Sequence, residues 1–524
     1  MSTTYKYGID FGTTNSSIAL HYDEGNCGMR SNHVFQVDLN LVSRELLPSV
    51  VYVDALGEIE VGTKGRRKFA SDEVPDKLKI LLKKVKLILD KEKDDVTVTK
   101  FGGSIYKVSD VIALILRKLK AKADQNHTVK VSGVVFGVPV NYNDDCKRVM
   151  LEATVKAKFF KDIKEAEQNV EFLSEPVAVA LDYGLVLNSN KNVFVFDFGG
   201  GTLDLAVVKL NKSDDENGIH EVIAKHRITL GGEQYTENFF KRVFVNKYGR
   251  NKLLTAFGYD YKLSVDELWD RLQKDRLGQE FIDEIEKTKC ELSYETESLF
   301  QWGGNDALRC INITCEFTRE EFNESIRESL NDVRIAIDEC LSLSRISKDA
   351  IDEVLMAGGS SLIPIVIQVL QDYFGKEIVR NPSNNALTSI VKGLAVKGYQ
   401  ENGREWLEDV VDSEYGIWLE YEQRVEPIIK KNTKIAKTTV NKSNTDEGCF
   451  LDLKSINDKI PVVEVYQNNT EKIGEFALPH KGSGHYRVYY EVDKMHGWLT
   501  VHIFDTRTIQ WYDNVLENNK FKLK

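Results

Sequence analysis

Proline is scarce, with 9 in 524 residues, and no uninterrupted apolar run approaches the ~18 residues that a membrane-spanning helix needs. Low-complexity tracts are missing too, which excludes a collagen-like or mainly disordered chain. The opening residues, MSTTYKYGIDFG, lack a basic segment followed by an apolar one, so no secretory signal is visible. Cysteine is sparse: Cys27, Cys146, Cys290, Cys310, Cys315, Cys340 and Cys449 are odd in number and scattered, which argues against a disulfide framework. Cys310 and Cys315 lie close, but no CxxC or histidine pair completes a zinc site. Reduced thiols in a cytoplasmic protein are the expectation. An excess of basic charge is also missing. Against 70 Lys and Arg stand 81 Asp and Glu, a net charge of −11, which argues against nucleic acid or an anionic membrane as partner.

What is present is ordinary globular composition, 42% hydrophobic and 29% charged, in a chain long enough for about three domain-sized units. A strand-like run, Tyr5 to Asp10, meets a Gly/Thr turn and a second run, Ser17 to Tyr22. The pattern returns at Val193–Phe196, Asp197, a glycine turn, and Leu203–Leu210. The two aspartates lie 187 residues apart, which suggests duplicated domains and not a short solenoid repeat. Between the copies strands alternate with helical stripes, one of them over Lys77–Leu89, so an α/β sheet is expected. Near Glu408 the grammar changes to short alternating segments separated by Asn, Asp, Gly and Lys turns, an all-β module of about a hundred residues.

The chemistry lies in the two turns. In Asp10-Phe11-Gly12-Thr13-Thr14-Asn15 the glycine lets backbone N–H groups approach a ligand, and successive N–H groups form a nest suited to phosphate. Thr13 and Thr14 add hydroxyl donors, and Asp10 supplies a carboxylate for a hydrated Mg²⁺. Alone, this segment reads more readily as an ordinary hairpin turn. The second copy, Asp197-Phe198-Gly199-Gly200-Gly201-Thr202-Leu203-Asp204, repeats it with further glycines, and two such loops facing each other would clamp a polyphosphate. Neither is GxxxxGK followed by Ser or Thr, nor GxGxxG before a helix, which excludes a P-loop enzyme and a Rossmann dehydrogenase.

These segments resemble the actin-like ATPase superfamily and, within it, the 70-kilodalton heat-shock chaperones. The resemblance is carried by GIDFGTTNSSIAL (8–20), VFGVPVNYND (135–144), FLSEPVAVALDYGL (172–185), VFDFGGGTLDLAVV (195–208), TLGGEQYTENFF (229–240), EKTKCELS (286–293) and LMAGGSSLIP (355–364). PIIKKNTKI (427–435), VYQNN (465–469) and EVDKMHGWLTV (491–501) look like the chaperones' peptide-binding β-domain. The implied architecture is an actin-like, ribonuclease-H-like duplicated nucleotide-binding domain over 1–405, with lobes 1–190 and 191–405. A linker at 406–414, a β-sandwich at 415–512 and a polar tail at 513–524 follow. The helical lid that covers the family's peptide groove is expected to be absent.

The resemblance also implies roles. Gly12, Thr13, Thr14 and Asn15 would hold the β- and γ-phosphates, faced by Gly199, Gly200, Gly201 and Thr202. Asp10 and Asp197 would hold Mg²⁺ mostly through water or orient the attacking water, and Glu175 would couple nucleotide state to the rest of the chain. Gly231 and Gly232 would approach the phosphates or ribose. Glu286, Lys289 and Ser293 would contact the nucleoside, with Gly358, Gly359, Ser360 and Leu362 on its other side. Lys86 fits the catalytic lysine best, with Lys83 as the alternative. The implied cofactors are ATP or ADP and Mg²⁺, with K⁺ as a further ion. The implied partners are unfolded or extended peptide segments, a J-domain co-chaperone and a nucleotide-exchange factor. The expected function is slow ATP hydrolysis coupled to peptide or partner binding by the β-domain. The alternatives are a small-molecule kinase of the same superfamily and a nucleotide-gated scaffold. Three departures stand out: Leu362 and Cys290 where many members place arginines against adenine, NPSNNALTSIVKGLAV at 381–396, and the charged linker WLEDVVD.

Overall fold

The computed structural model describes residues 3–22, 31–39, 43–71, 74–185, 187–212, 219–305, 309–380, 384–401, 407–419, 423–438, 440, 449–453, 462–477, 484–517 and 520–523. Cys27, residues 381–383 and Trp406 of the expected linker lie outside them.

Two sheets repeat one plan. In the first, β1 (Thr3–Phe11) turns back into β2 (Asn15–Tyr22), with Asp10 opposite Ser17, and β3 (Ser31–Val34) follows. β4 (Val131–Val138) runs parallel to β1, and β5 (Val170–Ser174) parallel to β4. In the second, β6 (Lys191–Phe198) turns back into β7 (Leu203–Leu210) and β8 (His220–Ile228). β9 (Glu353–Ala357) runs parallel to β6, as β4 does to β1. Central strands covered on both faces need continuous apolar runs, and Val193–Phe196 is fully buried. The expected duplication is therefore present as two hairpins, each with a parallel neighbour.

Helices cover the sheets. α1 (Val85–Glu92), α2 (Glu175–Gly184), α3 (Arg276–Glu291) and α4 (Ser389–Gly398) matter for the site. The helix expected over 77–89 is instead a strand, Lys79–Leu82, paired with Val51–Asp54, and then α1. A short apolar run does not by itself separate helix from strand. The lobe division also differs from expectation. α4 packs on β1 and β2, and Tyr399–Glu401 pairs with β1, so residues 389–401 return to the first lobe. A crossover of this kind leaves no signature in a linear reading. α2 and α4 meet between the sheets, and Val135, Val177, Val195, Leu355 and Leu394 form one core joining both lobes.

The C-terminal module is a β-sandwich. One sheet holds Arg424–Ile429, Tyr415–Leu419, Val462–Gln467 and Glu471–Ala477; the other holds Cys449–Leu453, Gly484–Val492, Leu499–Asp505, Gln510–Glu517 and Lys520–Leu523. Tyr486, Val488, Tyr490 and Val492 send alternate side chains into its core, as the two-residue period of a strand requires. The tail expected at 513–524 is instead strand over 513–517 and 520–523. Its polar composition hid it, because edge strands are commonly polar.

The linker forms β10 (Leu407–Glu408), which adds to the second sheet parallel to β8. Lys225 of β8 is buried and pairs with Asp409 at 2.9 Å and with Asp412. The sandwich docks on the first lobe: the Phe172 N–H donates to Met495 O at 2.8 Å, Lys147 Nζ donates to His496 O at 2.7 Å, and Arg148 lies 4.8 Å from the Trp498 ring centre.

The α2–α4 crossing depends on Gly393, where a Cβ would lie 1.7 Å from Ala178 O. Gly393→Ala should therefore lower stability by about 1–3 kcal/mol, the range for overpacking, read by urea unfolding. A variant as stable as wild type would show that this close approach is not required.

Candidate functional site

Both glycine turns open into one cleft between the lobes, with a cavity volume of about 380 Å³, within the range of small-molecule sites. In the first turn a Cβ on Gly12 would lie 2.2 Å from Asn15 O, so only glycine allows this approach. Ser49 pins the loop: its Oγ donates to Gly12 O at 2.8 Å and its N–H to Thr14 O at 2.9 Å. In the second turn the Gly199 N–H donates to Thr202 O at 3.0 Å, and the Glu233 N–H to Gly200 O at 2.8 Å. The loops face each other, since a Cβ on Gly200 would sit 3.6 Å from Thr14 Oγ1. Gly231 packs against the back of the second loop, where a Cβ would meet Gly200 O at 2.3 Å.

The floor of the cleft is acidic. Asp10 ends β1, Asp197 ends β6, Asp204 begins β7, and Glu175 begins α2. Lys86 on α1 donates to Glu175 Oε1 at 2.6 Å, with both side chains about nine-tenths buried. Lys83 points elsewhere and pairs with Asp283 at 2.9 Å. Of the two candidates, Lys86 is therefore the one that lines the cleft. Burial and the Glu175 charge push the Asp10 carboxyl up to about 7, with Lys86 opposing. Burial, then Glu175, Asp204 and Asp10, hold Asp197 well above the usual carboxylate range. Asp204 is also pushed up to about 7 by burial, with Arg227 opposing. Burial alone would lower Lys86, but Glu175 and Asp10 keep its pKa above the ordinary value.

The other end of the cleft mixes one internal ion pair with hydroxyl and apolar side chains. Lys289 donates to Gly232 O at 2.8 Å and pairs with Glu286 at 2.7 Å, so this pair on α3 is held in place. Ser360 Oγ donates to Gly199 O at 2.8 Å. Gly358 has φ +76° and leaves no room for a Cβ beside Phe198 O. Leu362, Ile363 and Leu387 line this end with Cys290, Ser293 and Tyr294.

Sequence reasoning missed several residues at the cleft, among them Asp90, Arg227 and Tyr294 in its lining and Asp204 just behind it. Asp204 stands two residues past Thr202 and accepts from its hydroxyl at 2.6 Å, so the repeat contained the signal. Arg227 and Tyr294 lie in no motif.

The donor set fits a hydrated divalent cation. Among the described residues no three His, Cys, Asp or Glu side chains converge as direct ligands. A cation that keeps its waters needs only nearby carboxylates.

Comparison with known proteins agrees with this geometry. A family model for Hsp70 protein matches residues 6–520. The chain belongs to the Hsp70 protein family. Proteins named "Chaperone protein DnaK" from Thermotoga neapolitana and Thermotoga maritima are each 28% identical over 451 residues, which is 82% of this chain and 66% of theirs. The one from Thermosipho africanus is 26% identical over the same length. The match thus spans just under two thirds of these relatives. Within the Hsp70 protein family the two lobes are the actin-like ATPase domain, and the β-sandwich follows it.

Asp204 gives this Hsp70 protein a pH signature. Burial pushes its carboxyl up to about 7 in the fold, against an ordinary 3.8. The folded state therefore binds an extra proton between those values, and stability is lost as pH rises through that window. Asp204→Asn removes the ionisation and keeps an oxygen acceptor. Its melting temperature relative to wild type, without nucleotide, should rise between pH 5 and pH 8. An offset that does not change with pH would contradict the burial of this charge.

Proposed function

We propose that the protein is an ATP-dependent chaperone that hydrolyses ATP slowly and couples nucleotide state to peptide binding by its β-sandwich. The observation that carries this reading is the opposition of two glycine loops above Asp10, Glu175 and Asp197, in a chain of the Hsp70 protein family. Gly12–Asn15 and Gly199–Thr202 offer backbone N–H groups and hydroxyls to the β- and γ-phosphates. Glu286, Lys289 and Ser293 face the nucleoside from one side and Gly358, Gly359 and Ser360 from the other. Leu362 offers adenine an apolar wall where an arginine stack would contribute about 0.5–2 kcal/mol.

Asp10 and Asp197 would hold Mg²⁺ through water. Bound there, the ion would neutralise charge on the phosphate oxygens. Lys86 lies at the phosphate end with its charge secured by Glu175, and its N–H groups stabilise negative charge that grows on the transferred phosphoryl group. Asp197 orients the attacking water by accepting a hydrogen bond. Glu175 ties the lysine to α2 and so to the core shared by both lobes. Gly231 acts behind the phosphate loop by letting Gly232 approach it.

Coupling to the sandwich is favoured by β10, which joins the sheet whose β6–β7 turn forms the second phosphate loop. The partners of this reading are extended peptide segments, a J-domain co-chaperone and an exchange factor. Its compartment is the cytoplasm. No helix among the described residues is long and apolar enough to cross a membrane.

The test is single-turnover hydrolysis with and without Mg²⁺. Asp197→Asn should bind ATP and lose at least about 10²-fold in rate, the scale of a positioned proton acceptor. A labelled extended peptide should change affinity between the ATP- and ADP-bound protein. Equal affinities would end the coupling claim, and a chain that binds no ATP would end the ATPase claim.

A further inference from the structure

Arg227 occupies a place that no motif marks. It stands on β8 directly opposite Asp204 of β7. Its side chain is 12% exposed and lines the cleft. Arg227 Nη2 donates to Asp90 Oδ2 at 2.9 Å, and Nη1 to Val140 O at 3.3 Å. Its Nε is buried without a hydrogen-bond partner and lies 3.9 Å from Asp204 Oδ1. The same Asp204 Oδ1 accepts the Val140 N–H at 2.8 Å. Both polar groups of one first-lobe residue are thus taken by a cross-strand pair of the second lobe.

Asp90 lies four residues after Lys86 on α1, one helical turn away on the same face. The helix that presents Lys86 to Glu175 is therefore gripped through Asp90 from the opposite lobe. A guanidinium suits this task because its rigid fork can serve two acceptors and a carboxylate at once, which an ammonium cannot do with fixed geometry.

We propose that Arg227 is a positioning residue for phosphoryl transfer: it closes the second lobe on the first at Val140 and Asp90 and thereby sets the place of Lys86. The proposal rests on the ATPase reading above. Arg227 need not touch nucleotide. It acts on the alignment of the lysine, and misplacement by ~1 Å of a group that must be aligned costs about 10²-fold in rate.

The experiment measures ATP affinity and single-turnover hydrolysis for the full chain, Arg227→Met, Arg227→Lys, Asp90→Asn and the Arg227→Met/Asp90→Asn double variant. Arg227→Met should hydrolyse bound ATP at least about 10-fold more slowly, with affinity changed far less. Arg227→Lys should recover part of the rate. Asp90→Asn should show a similar loss, and the double variant should be no slower than Arg227→Met, since both act through one contact. A purely structural role would lower the melting temperature and the fraction able to bind ATP, and leave the rate per bound ATP unchanged. That result, or losses that multiply in the double variant, overturns the proposal. If Arg227→Met does not fold, Asp90→Asn decides by the same rate. Wild type that neither binds nor hydrolyses ATP overturns the ATPase reading itself, whereas active wild type matched by Arg227→Met overturns the clamp alone.

Discussion

Four carboxylates meet in a place that water barely reaches, and the rest of the cleft is arranged around that charge. Asp10, Glu175 and Asp197 line the cleft, and the buried Asp204 is near enough to Asp197 to raise its pKa; the four come from different elements and converge only when the lobes approach. Their neighbours include two cations, Lys86 and Arg227. The surplus shows in the raised pKa values of Asp10, Asp197 and Asp204, because burial and like charge both disfavour ionisation. Two lobes that carry like charge toward each other need a cation between them. Lys86 and Arg227 provide it in part; a divalent ion would supply more, whereas a polyphosphate would add negative charge of its own. Closure and ligand charge are then one electrostatic problem.

The sheet plan creates that convergence. β1 runs parallel to β4 and β6 parallel to β9, so Asp10 and Asp197 stand near the carboxyl ends of strands, each just after a buried run, Tyr7–Ile9 or Val193–Phe196. Ligands of open α/β sheets gather outside those ends, where the chain must leave the sheet and backbone groups lose their ladder partners. The glycines after each aspartate let the chain turn at the edge of the cleft without a Cβ in the way. The duplicated hairpin yields two such ends, and α2 and α4 hold them face to face.

Much of this was legible in the chain. Strand, aspartate and glycine turn form a local signal, and its repetition marked both glycine loops of the cleft and the acids near the ends of β1 and β6. Lys86 was harder to separate from Lys83, because spacing alone does not show that the chain pairs as a strand through Leu82 before α1 begins. Arg227 and Tyr294 were not legible, since each reaches the cleft through contacts distant in sequence: Arg227 meets Asp90 and Val140 only after two lobes have folded. Asp204 lay inside the repeat, yet its role depends on the Val140 N–H, 64 residues away. The return of residues 389–401 to the first lobe was hidden for the same reason, as was the strand character of a polar C-terminal segment.

The same strand that clamps the cleft also receives the linker. β8 carries Lys225 and Arg227 two residues apart, which places both on one face about 6–7 Å from each other. Lys225 is neutralised by Asp409 and Asp412, whereas Arg227 is engaged by Asp90, Val140 and Asp204. Withdrawal of the linker would leave the Lys225 ammonium buried without either carboxylate, a costly state that β8 relieves only by moving or by admitting water. A strand paired along its length to β7 moves as a unit. Displacement at Lys225 therefore reaches Arg227 within one strand period, and with it the contact that holds α1 across the cleft. By the same linkage, a charge that tightens Arg227 against the first lobe favours the β8 position in which Lys225 meets the linker acids.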